Sequence, residues 1–228
     1  MAAISFWLIV GVMLLSSYLV GAIPVGYLTG RLLKGIDIRQ HGSGSTGATN
    51  VLRTLGKGPG LMVLLIDVLK GVLAIALVRW VYAPGSGLNQ LIPEAAVPQD
   101  WLPWMVIFSG LAAILGHSKS LWINFTGGKS VATSLGLLLM MSWPVGLATV
   151  AIFAGVLALT RIVSLSSITA AISLPLLMVV LQQPLPYVLF SLLGSSYVIW
   201  RHKTNLQRLL QGSEPRLGET SEKTEMAS

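Results

Sequence analysis

The chain alternates between long apolar runs and short polar segments. The apolar runs cover residues 5–28, 61–82, 101–115, 131–160, 162–181 and 185–200. About 20 helical residues cross a bilayer core of roughly 30 Å, so these runs predict membrane-spanning helices. The run 131–160 is too long for one span, and Pro144 marks where we expect it to divide into two short helices. The pattern therefore predicts an all-α integral membrane protein with seven transmembrane helices.

The composition supports a membrane protein. Of 228 residues, 54% are hydrophobic and only 10% are charged, a balance that excludes a soluble globular domain. The first apolar run has no basic segment before it and is longer than a signal-peptide core, so we expect it to remain as a membrane anchor. The chain contains no cysteine, which excludes disulfides, thiolate metal sites and a cysteine nucleophile.

The basic residues predict the orientation in the membrane. If residues 131–160 form two helices, the basic segments after the first and last spans lie on the same side of the bilayer; they contain Arg31, Lys34, Arg39, Arg53, Lys57, Arg201, Lys203, Arg208 and Arg216. Positive-inside bias makes this side cytoplasmic and puts the amino terminus outside. The connection with Glu94 and Asp100 then faces outward. We expect residues 1–218 to form one membrane-embedded domain and residues 219–228 a disordered tail.

The first polar segment with candidate chemistry is "HGSGSTGATN", residues 41–50, which contains G-x-G-x-x-G. A dinucleotide fingerprint needs a preceding strand and an acidic residue about 20 positions later. Here a polar connection precedes the glycines, and Asp67 lies inside the next apolar run, so this interpretation fails. Backbone N–H groups and hydroxyls in a glycine-rich turn still suit an anion. The alternative is a flexible loop.

The second segment is "NFTGGKSVATSLG", residues 124–136. A Walker A motif would need glycine at position 123, where Ile123 stands, and a preceding strand. Glycines followed by Lys129 and Ser130 at the start of a predicted helix nevertheless suit a phosphate, because backbone donors, the helix dipole and an ammonium group act together. The alternative is a basic anchor at the membrane interface.

The third segment is "RHKTNLQRLLQGSEPRLG", residues 201–218, which leaves the last span. An interfacial helix explains its leucines and arginines. It does not explain why His202 and Asn205, three residues apart, share a helical face.

One apolar run carries two charges, Asp67 and Lys70 in "LLIDVLKGVL". Unpaired charges are costly in lipid. We therefore expect these residues to face the helix bundle as a structural ion pair, with a direct role in substrate binding as the alternative.

Three separated motifs resemble those of the bacterial membrane acyl-phosphate:glycerol-3-phosphate acyltransferases: "GSGSTGATNVLRTLGK" at 42–57, "GHSKSLWINFTGGKSVAT" at 116–133 and "HKTNLQRLLQGSE" at 202–214. The resemblance covers most of the chain. It implies transfer of a long-chain acyl group from acyl phosphate to the 1-hydroxyl of glycerol 3-phosphate, giving lysophosphatidic acid and inorganic phosphate. It also implies seven membrane helices in the bacterial inner membrane, with all three motifs on the cytoplasmic side.

The resemblance also implies roles for individual residues. It implies catalytic roles for Ser43, Arg53, Lys129, His202 and Asn205, and substrate binding by Gly44, Gly47, Thr49, Asn50, Gly127, Gly128, Ser164 and Ser167. Glu214 is expected to be a structural partner of the motifs. The chain departs from the family pattern at Ser45–Thr46, where the family commonly has Asn-Pro, at Ser130, where it has Gly, and at Lys119–Ser120, where it has Phe-Pro. These departures leave the charged groups intact but change residues that set loop rigidity.

The residue inventory favours a mechanism without a protein base. Many glycerolipid acyltransferases use a His and an Asp separated by four residues, yet the residues five positions after His41, His117 and His202 are Thr46, Trp122 and Gln207. In an acyl phosphate, a phosphate oxygen close to the carbonyl can take the proton, while the protein aligns two anions and neutralises their charge. General-base catalysis by His202 is the alternative.

The remaining expectations concern partners. The His, Asp and Glu residues show no metal-ligand spacing, so we expect neither a metal nor another cofactor. The basic side should attract anionic substrates and anionic membrane lipid, whereas nucleic acid would need a larger exposed basic surface. The rival function is a transporter or channel for a phosphate-bearing solute, but no inverted repeat is visible in the sequence.

Overall fold

The structure, a computed structural model, describes residues 2–88 and 101–218, and within these ranges all extended regular structure is helical. This confirms the all-α prediction. The helices are α1 (Ala2–Ala22), α2 (Val25–Lys34), α3 (Ala48–Leu55), α4 (Lys57–Val81), α5 (Leu102–Ser118), α6 (Val131–Met141), α7 (Trp143–Thr160), α8 (Val163–Val180), α9 (Leu185–Arg201) and α10 (Lys203–Leu210). The outer connection with Glu94 and Asp100, and the tail 219–228, lie outside the described residues.

Each predicted apolar run contains a helix, but the helices differ in length. Within the described ranges, four segments are long and apolar enough to cross a membrane: α1 together with α2, and α4, α7 and α8. Helices α5 and α6 are apolar but shorter. At about 1.5 Å per residue, the 11 residues of α6 extend only about 16 Å, roughly half of a bilayer core. Helix α6 is therefore a short apolar helix, as the division of the run 131–160 predicted, and its crossing of the bilayer stays a prediction.

Two proline-containing breaks shape the bundle. The run 131–160 divides at Ser142, and Pro144 lies in the first turn of α7, where its missing N–H costs nothing. This confirms the predicted division. The run 5–28, expected to be one helix, ends at Ala22 and resumes at Val25. The sequence interpretation missed this break, although Pro24 lacks an N–H and restricts Ile23 before it.

Close backbone packing of α4 against α6 brings the second motif to the bundle centre. A Cβ atom on Gly136 would lie 1.9 Å from the carbonyl oxygen of Val68, and one on Gly71 would lie 2.2 Å from that of Thr133. Only glycine permits such an approach, as at other helix interfaces in membranes. The contact holds α6, which begins two residues after Lys129, directly against α4.

The apolar core lies between α1, α4, α5, α6 and α9, and includes Met13, Ile75, Met105, Leu137 and Phe190. Large apolar side chains also point outward, among them Leu8, Leu65, Leu159 and Leu176. An apolar exterior around a packed interior is expected for a bundle that has lipid as its solvent.

Asp67 and Lys70 form the ion pair that the sequence predicted. Nζ of Lys70 lies 2.7 Å from Oδ1 of Asp67, and both side chains are almost fully buried. The ammonium group also donates a hydrogen bond of 2.5 Å to the carbonyl oxygen of Ile23. That carbonyl lies in the break between α1 and α2, so the pair joins α4 to this break.

Candidate functional site

The first motif forms a loop built around the side chain of Asn50. Its Oδ1 accepts a hydrogen bond of 2.9 Å from the backbone N–H of Ser43, and its Nδ2 donates to the carbonyl oxygens of Ile38, His41 and Ser45 at 3.1, 3.0 and 2.8 Å. The side chain is buried. The amide of Asn50, predicted to bind an anion, is therefore committed to holding the loop together.

Arg39 joins the first loop to the second. Its Nη1 donates to the carbonyl oxygen of Ile123 at 3.1 Å and to Oγ1 of Thr126 at 3.0 Å. Its Nη2 lies 2.7 Å from the carboxylate of Asp37. The hydrogen bonds from Arg39 lower the pKa of Asp37 to about 2, so this carboxylate stays charged at neutral pH. The two loops therefore form one unit.

The glycines of the second motif lie behind the site. The carbonyl oxygens of Gly127 and Gly128 accept hydrogen bonds of 3.2 and 2.9 Å from Nη2 of Arg201. The N–H of Gly128 donates to the carbonyl oxygen of His117 at 3.2 Å. These three backbone groups are thus used within the protein, and substrate binding by the two glycines stays a prediction.

The third motif is organised by the carboxylate of Glu214. It accepts hydrogen bonds from Oγ of Ser164 at 2.7 Å, from Nδ2 of Asn205 at 2.6 Å and from Nε of Arg208 at 2.7 Å. Burial alone would raise the pKa of Glu214, but these hydrogen bonds outweigh it and lower the pKa. Glu214 therefore remains charged and connects α8 to α10, in agreement with its expected structural role.

Lys129 meets the third motif across the site. Its Nζ donates a hydrogen bond to Oδ1 of Asn205. Burial lowers the pKa of Lys129 to about 8, and the positive charges of Arg208, Arg201 and Arg53 act in the same direction, while Glu214 opposes them. A bound anion would relieve this excess of positive charge. The site is therefore electrostatically suited to a phosphate group.

His202 lies at the junction of α9 and α10 and is buried. Burial lowers its pKa to about 4, so the imidazole is neutral at physiological pH. Nδ1 lies 2.7 Å from the carbonyl oxygen of Val198. A carbonyl only accepts hydrogen bonds, which assigns the proton to Nδ1 and leaves Nε2 as an acceptor.

One cavity of about 370 Å³ joins the three motifs to the membrane part of the bundle. Its polar end is lined by residues from all three motifs, including Ser43, Thr49, Arg53, Lys129, His202, Asn205 and Glu214. Its other lining residues are largely apolar, including Leu138, Val150, Phe153, Leu174, Phe190 and Val198. The cavity thus offers cationic groups beside a chamber for an apolar chain.

Most of the predicted site residues meet in this cavity. Besides those of its polar end, Gly47, Asn50, Ser164 and Ser167 also line it. Gly44, Gly127 and Gly128, predicted to bind substrate, lie outside its described lining. Arg53 also donates a hydrogen bond of 3.2 Å to the carbonyl oxygen of Pro215, which joins the first motif to the third.

The sequence interpretation missed several residues. His117 lines the cavity, and Ser195, also in its wall, has a buried hydroxyl without a hydrogen-bond partner among the described residues. Asp67, predicted as half of a structural ion pair, lines the cavity as well. Arg39 and Arg201 hold the loops from behind. The roles of these residues depend on contacts between distant segments, which the sequence does not show. Among the missed residues, His117 alone had a sequence signal, since it lies in the second motif next to Gly116. Within residues 2–88 and 101–218, no group of three His, Asp or Glu side chains could hold a metal ion.

Comparison with known proteins identifies the family. Residues 11–212 match the family model described as glycerol-3-phosphate acyltransferase. A protein of that name from Acaryochloris marina is 62% identical over 216 residues, covering 94% of this chain and 96% of the relative. Another from a Nostoc species is 60% identical over 215 residues, covering 94% and 95%.

Solved structures give the same result. The chain resembles PlsY (YgiH), an integral membrane glycerol 3-phosphate acyltransferase, in its glycerol 3-phosphate form, with a TM-score of 0.79 and 36% identity over 92% of this chain and 96% of that one. The lysophosphatidic acid form gives a TM-score of 0.76 and 35% identity, with 92% and 95% covered. The chain therefore belongs to the glycerol-3-phosphate acyltransferase family of integral membrane proteins.

Proposed function

We propose that the protein transfers a long-chain acyl group from acyl phosphate to the 1-hydroxyl of glycerol 3-phosphate, forming lysophosphatidic acid and inorganic phosphate. The continuity of the cationic and apolar parts of one cavity carries this proposal. Solved relatives hold glycerol 3-phosphate and lysophosphatidic acid, which are the proposed acceptor and product. The apolar chamber suits an acyl chain, and each of its CH₂ groups gains about 0.8 kcal/mol on leaving water.

The reaction needs no protein nucleophile. The acceptor hydroxyl oxygen attacks the acyl carbonyl carbon, the bond from that carbon to the phosphate oxygen breaks, and the hydroxyl proton passes to a phosphate oxygen. The protein contributes alignment of two anions and neutralisation of their charge. Arg53 and Lys129 supply the positive charge, and Asn205 positions the Lys129 ammonium through its amide oxygen. Ser43 and Thr49 offer hydroxyls at the same end of the cavity.

His202 has a positioning role in this proposal. With a pKa of about 4, its imidazole is a weaker base than one poised near the working pH. Its Nε2 is able to accept a hydrogen bond from the acceptor hydroxyl and orient it. Glu214 holds Asn205 through a hydrogen bond, and Ser164 donates in turn to Glu214.

The proposal includes the membrane topology. Helices α1, α4, α5, α6, α7, α8 and α9 are the seven membrane helices, with the amino terminus outside and the cavity opening to the cytoplasm through its cationic end. The basic residues around the three motifs support this orientation. Glycerol 3-phosphate then arrives from water, while the acyl donor arrives from the bilayer of the inner membrane. Residues 1–218 act as a single domain.

The decisive experiment is turnover by the purified full chain in detergent, where no compartments exist. Acyl phosphate with glycerol 3-phosphate should yield lysophosphatidic acid and inorganic phosphate in equal amounts, whereas acyl-coenzyme A or acyl-carrier protein should not replace the donor. The Arg53→Ala variant should lose activity. The matched Lys57→Ala variant, which removes a nearby exposed charge outside the cavity lining, should keep it. Binding of glycerol 3-phosphate without product would instead support the transporter alternative.

A further inference from the structure

His117, the penultimate residue of α5, lies directly beneath the glycine segment that precedes Lys129. Its carbonyl oxygen accepts the N–H of Gly128 at 3.2 Å. A Cβ atom on Gly128 would lie 2.1 Å from Nε2 of the imidazole, with two ring carbons as its next neighbours at 3.0 and 3.1 Å. The ring therefore forms the surface on which Gly128 rests. Its side chain is buried and also lines the main cavity.

The imidazole is held by a buried network. Nδ1 of His117 lies 3.6 Å from Oδ1 of Asp67, the oxygen that is paired with Lys70 at 2.7 Å. Lys70 in turn donates to the carbonyl oxygen of Ile23. The network therefore runs from the break between α1 and α2, through α4, to the end of α5 and the glycine segment. All three charged or titratable side chains are more than nine-tenths buried.

We propose that His117, held by Asp67, is a positioning residue that sets the height and direction of the glycine segment and so places the Lys129 ammonium at the phosphate site. This inference rests on the proposed function, since it gives Lys129 a phosphate-binding role. Arg201 fixes the segment from its other side through the Gly127 and Gly128 carbonyls. The segment is thus clamped between a guanidinium and an imidazole, and Lys129 follows it directly.

The geometry permits a suppression test. In Gly128→Ala the new methyl group must collide with the His117 ring, because the nearest atoms all belong to that side chain. Removing the ring in His117→Ala makes room for the methyl group and leaves the Asp67–Lys70 pair intact. We therefore expect Gly128→Ala to lower kcat/KM strongly. The double variant Gly128→Ala/His117→Ala should have a kcat/KM roughly tenfold higher than Gly128→Ala alone, a coupling within the range seen for contacting residues.

Gly127→Ala is the matched control. A Cβ atom there would lie 2.2 Å from the backbone carbonyl oxygen of His117 and about 3 Å from backbone atoms of Ser118, none of which the substitution His117→Ala removes. His117→Ala should therefore not rescue Gly127→Ala. Rescue of both glycine variants would indicate a general loosening of the loop and would overturn the specific contact that we propose.

The readouts are KM and kcat for each substrate, the melting temperature, and the Kd of glycerol 3-phosphate measured by calorimetry on the full chain in detergent. A positioning role predicts that His117→Ala raises KM or Kd for a phosphate-bearing substrate while the melting temperature changes little. Asp67→Asn also removes the partner of Lys70 and so lowers the melting temperature. In the folded variant, KM or Kd should rise as in His117→Ala when His117 is present, and the substitution should add little to KM or Kd in the His117→Ala background. Two results would overturn the inference: an Asp67→Asn effect on KM or Kd that is equal with and without His117, or no rescue of Gly128→Ala by His117→Ala. If the wild-type chain makes no product from acyl phosphate, the proposed function fails, and the Kd series still decides the role of His117.

Discussion

Nδ2 of Asn205 donates a hydrogen bond of 2.6 Å to the carboxylate of Glu214, and this contact fixes which way the amide faces. With its NH₂ group turned to Glu214, the amide presents Oδ1 to Nζ of Lys129. Glu214 thus orients Asn205 so that the amide oxygen accepts a hydrogen bond from the ammonium group of Lys129. The carboxylate lines the same end of the cavity, but its oxygens accept hydrogen bonds from Ser164, Asn205 and Arg208.

Replacing Glu214 should therefore affect both stability and catalysis. In Glu214→Gln the charge is lost and one carboxylate oxygen becomes an NH₂ group, which opposes the donor of either Asn205 or Arg208, since these bond to different oxygens. Charged hydrogen bonds contribute about 1.5–3 kcal/mol each, so we expect a melting temperature lower by several degrees and a kcat/KM reduced at least about tenfold. Thermal unfolding and turnover measure these effects.

Ser164→Ala is the control for this prediction. It removes the hydrogen bond from Oγ of Ser164 to Glu214 and leaves the charge of Glu214 and its contacts with Asn205 and Arg208 in place. Its effect should be clearly smaller on both measurements. A Glu214→Gln variant with wild-type melting temperature and turnover would show that the carboxylate does not hold the site together.

Binding of glycerol 3-phosphate should weaken at alkaline pH because of Lys129. Its pKa is lowered to about 8, so the free protein carries the full positive charge below that pH and loses it above. We expect Kd to be nearly constant from pH 7 to 7.5 and to rise by up to tenfold per pH unit above about pH 8. Titration calorimetry in detergent at several pH values measures this.

The matched variants for this prediction are Lys129→Arg and Lys129→Ala. Arginine keeps its charge throughout this range, so the rise in Kd above pH 8 should disappear. Alanine should bind weakly at every pH without that step. A wild-type Kd that stays constant to pH 9.5 would contradict the assignment of the lowered pKa to the binding group.

The membrane helices were predictable because their signal is local. Apolar runs and Pro144 suffice to predict α6 and α7, because proline is common in the first turn of a helix and so indicates where α7 begins. The break at Pro24 was missed because the surrounding residues are apolar and the run looks continuous. In the structure, the carbonyl oxygen of Ile23 in this break accepts a hydrogen bond from Lys70 of α4, a contact between distant residues that the local pattern does not show.

The site was predictable only in part. Residues with charged or polar side chains, such as Arg53, Lys129 and His202, are visible in the sequence, and the structure brings them into one cavity. The packing of the glycines is not visible in the sequence, because a glycine that faces a ligand and one that rests on a neighbouring side chain look alike there. Gly128 packs against the ring of His117, which is eleven residues away, and the sequence gives no sign of this contact. Contacts between separate segments carry this information.

Lys70→Met should impair folding more than catalysis. It leaves the carboxylate of Asp67 buried without its 2.7 Å partner, and breaking a buried pair from one side costs about 3–5 kcal/mol. We expect a much lower yield of folded protein, measured by size-exclusion chromatography, with turnover per folded molecule reduced less. The double variant Asp67→Asn/Lys70→Met, which removes both charges, should recover part of the yield. Normal yield with abolished turnover would give Lys70 a direct catalytic role.

Activity should survive exhaustive chelation. Within the described residues no three His, Asp or Glu side chains gather in a metal-binding arrangement, and Arg53 and Lys129 supply positive charge to the cavity instead. Turnover with and without a chelator, at constant ionic strength, measures the effect. Loss of activity that one divalent ion specifically restores would contradict this prediction.

The last prediction separates proton transfer to the substrate phosphate from catalysis by His202. If the phosphate is the base, Arg53→Ala and Lys129→Ala should reduce kcat/KM at least as much as His202→Ala, because charge neutralisation and alignment carry the rate. If His202 is the general base, His202→Ala should lower kcat by about 10²–10⁴-fold, and the wild-type pH profile should show a limb that this variant lacks. The two cation variants would then chiefly raise KM at nearly normal kcat. The pKa of His202, about 4 in the free site, favours the first outcome, since a base that weak gains little by taking the proton of an alcohol. Because residues of a coupled site do not contribute additively, the decision rests on the KM-against-kcat pattern of the three variants together.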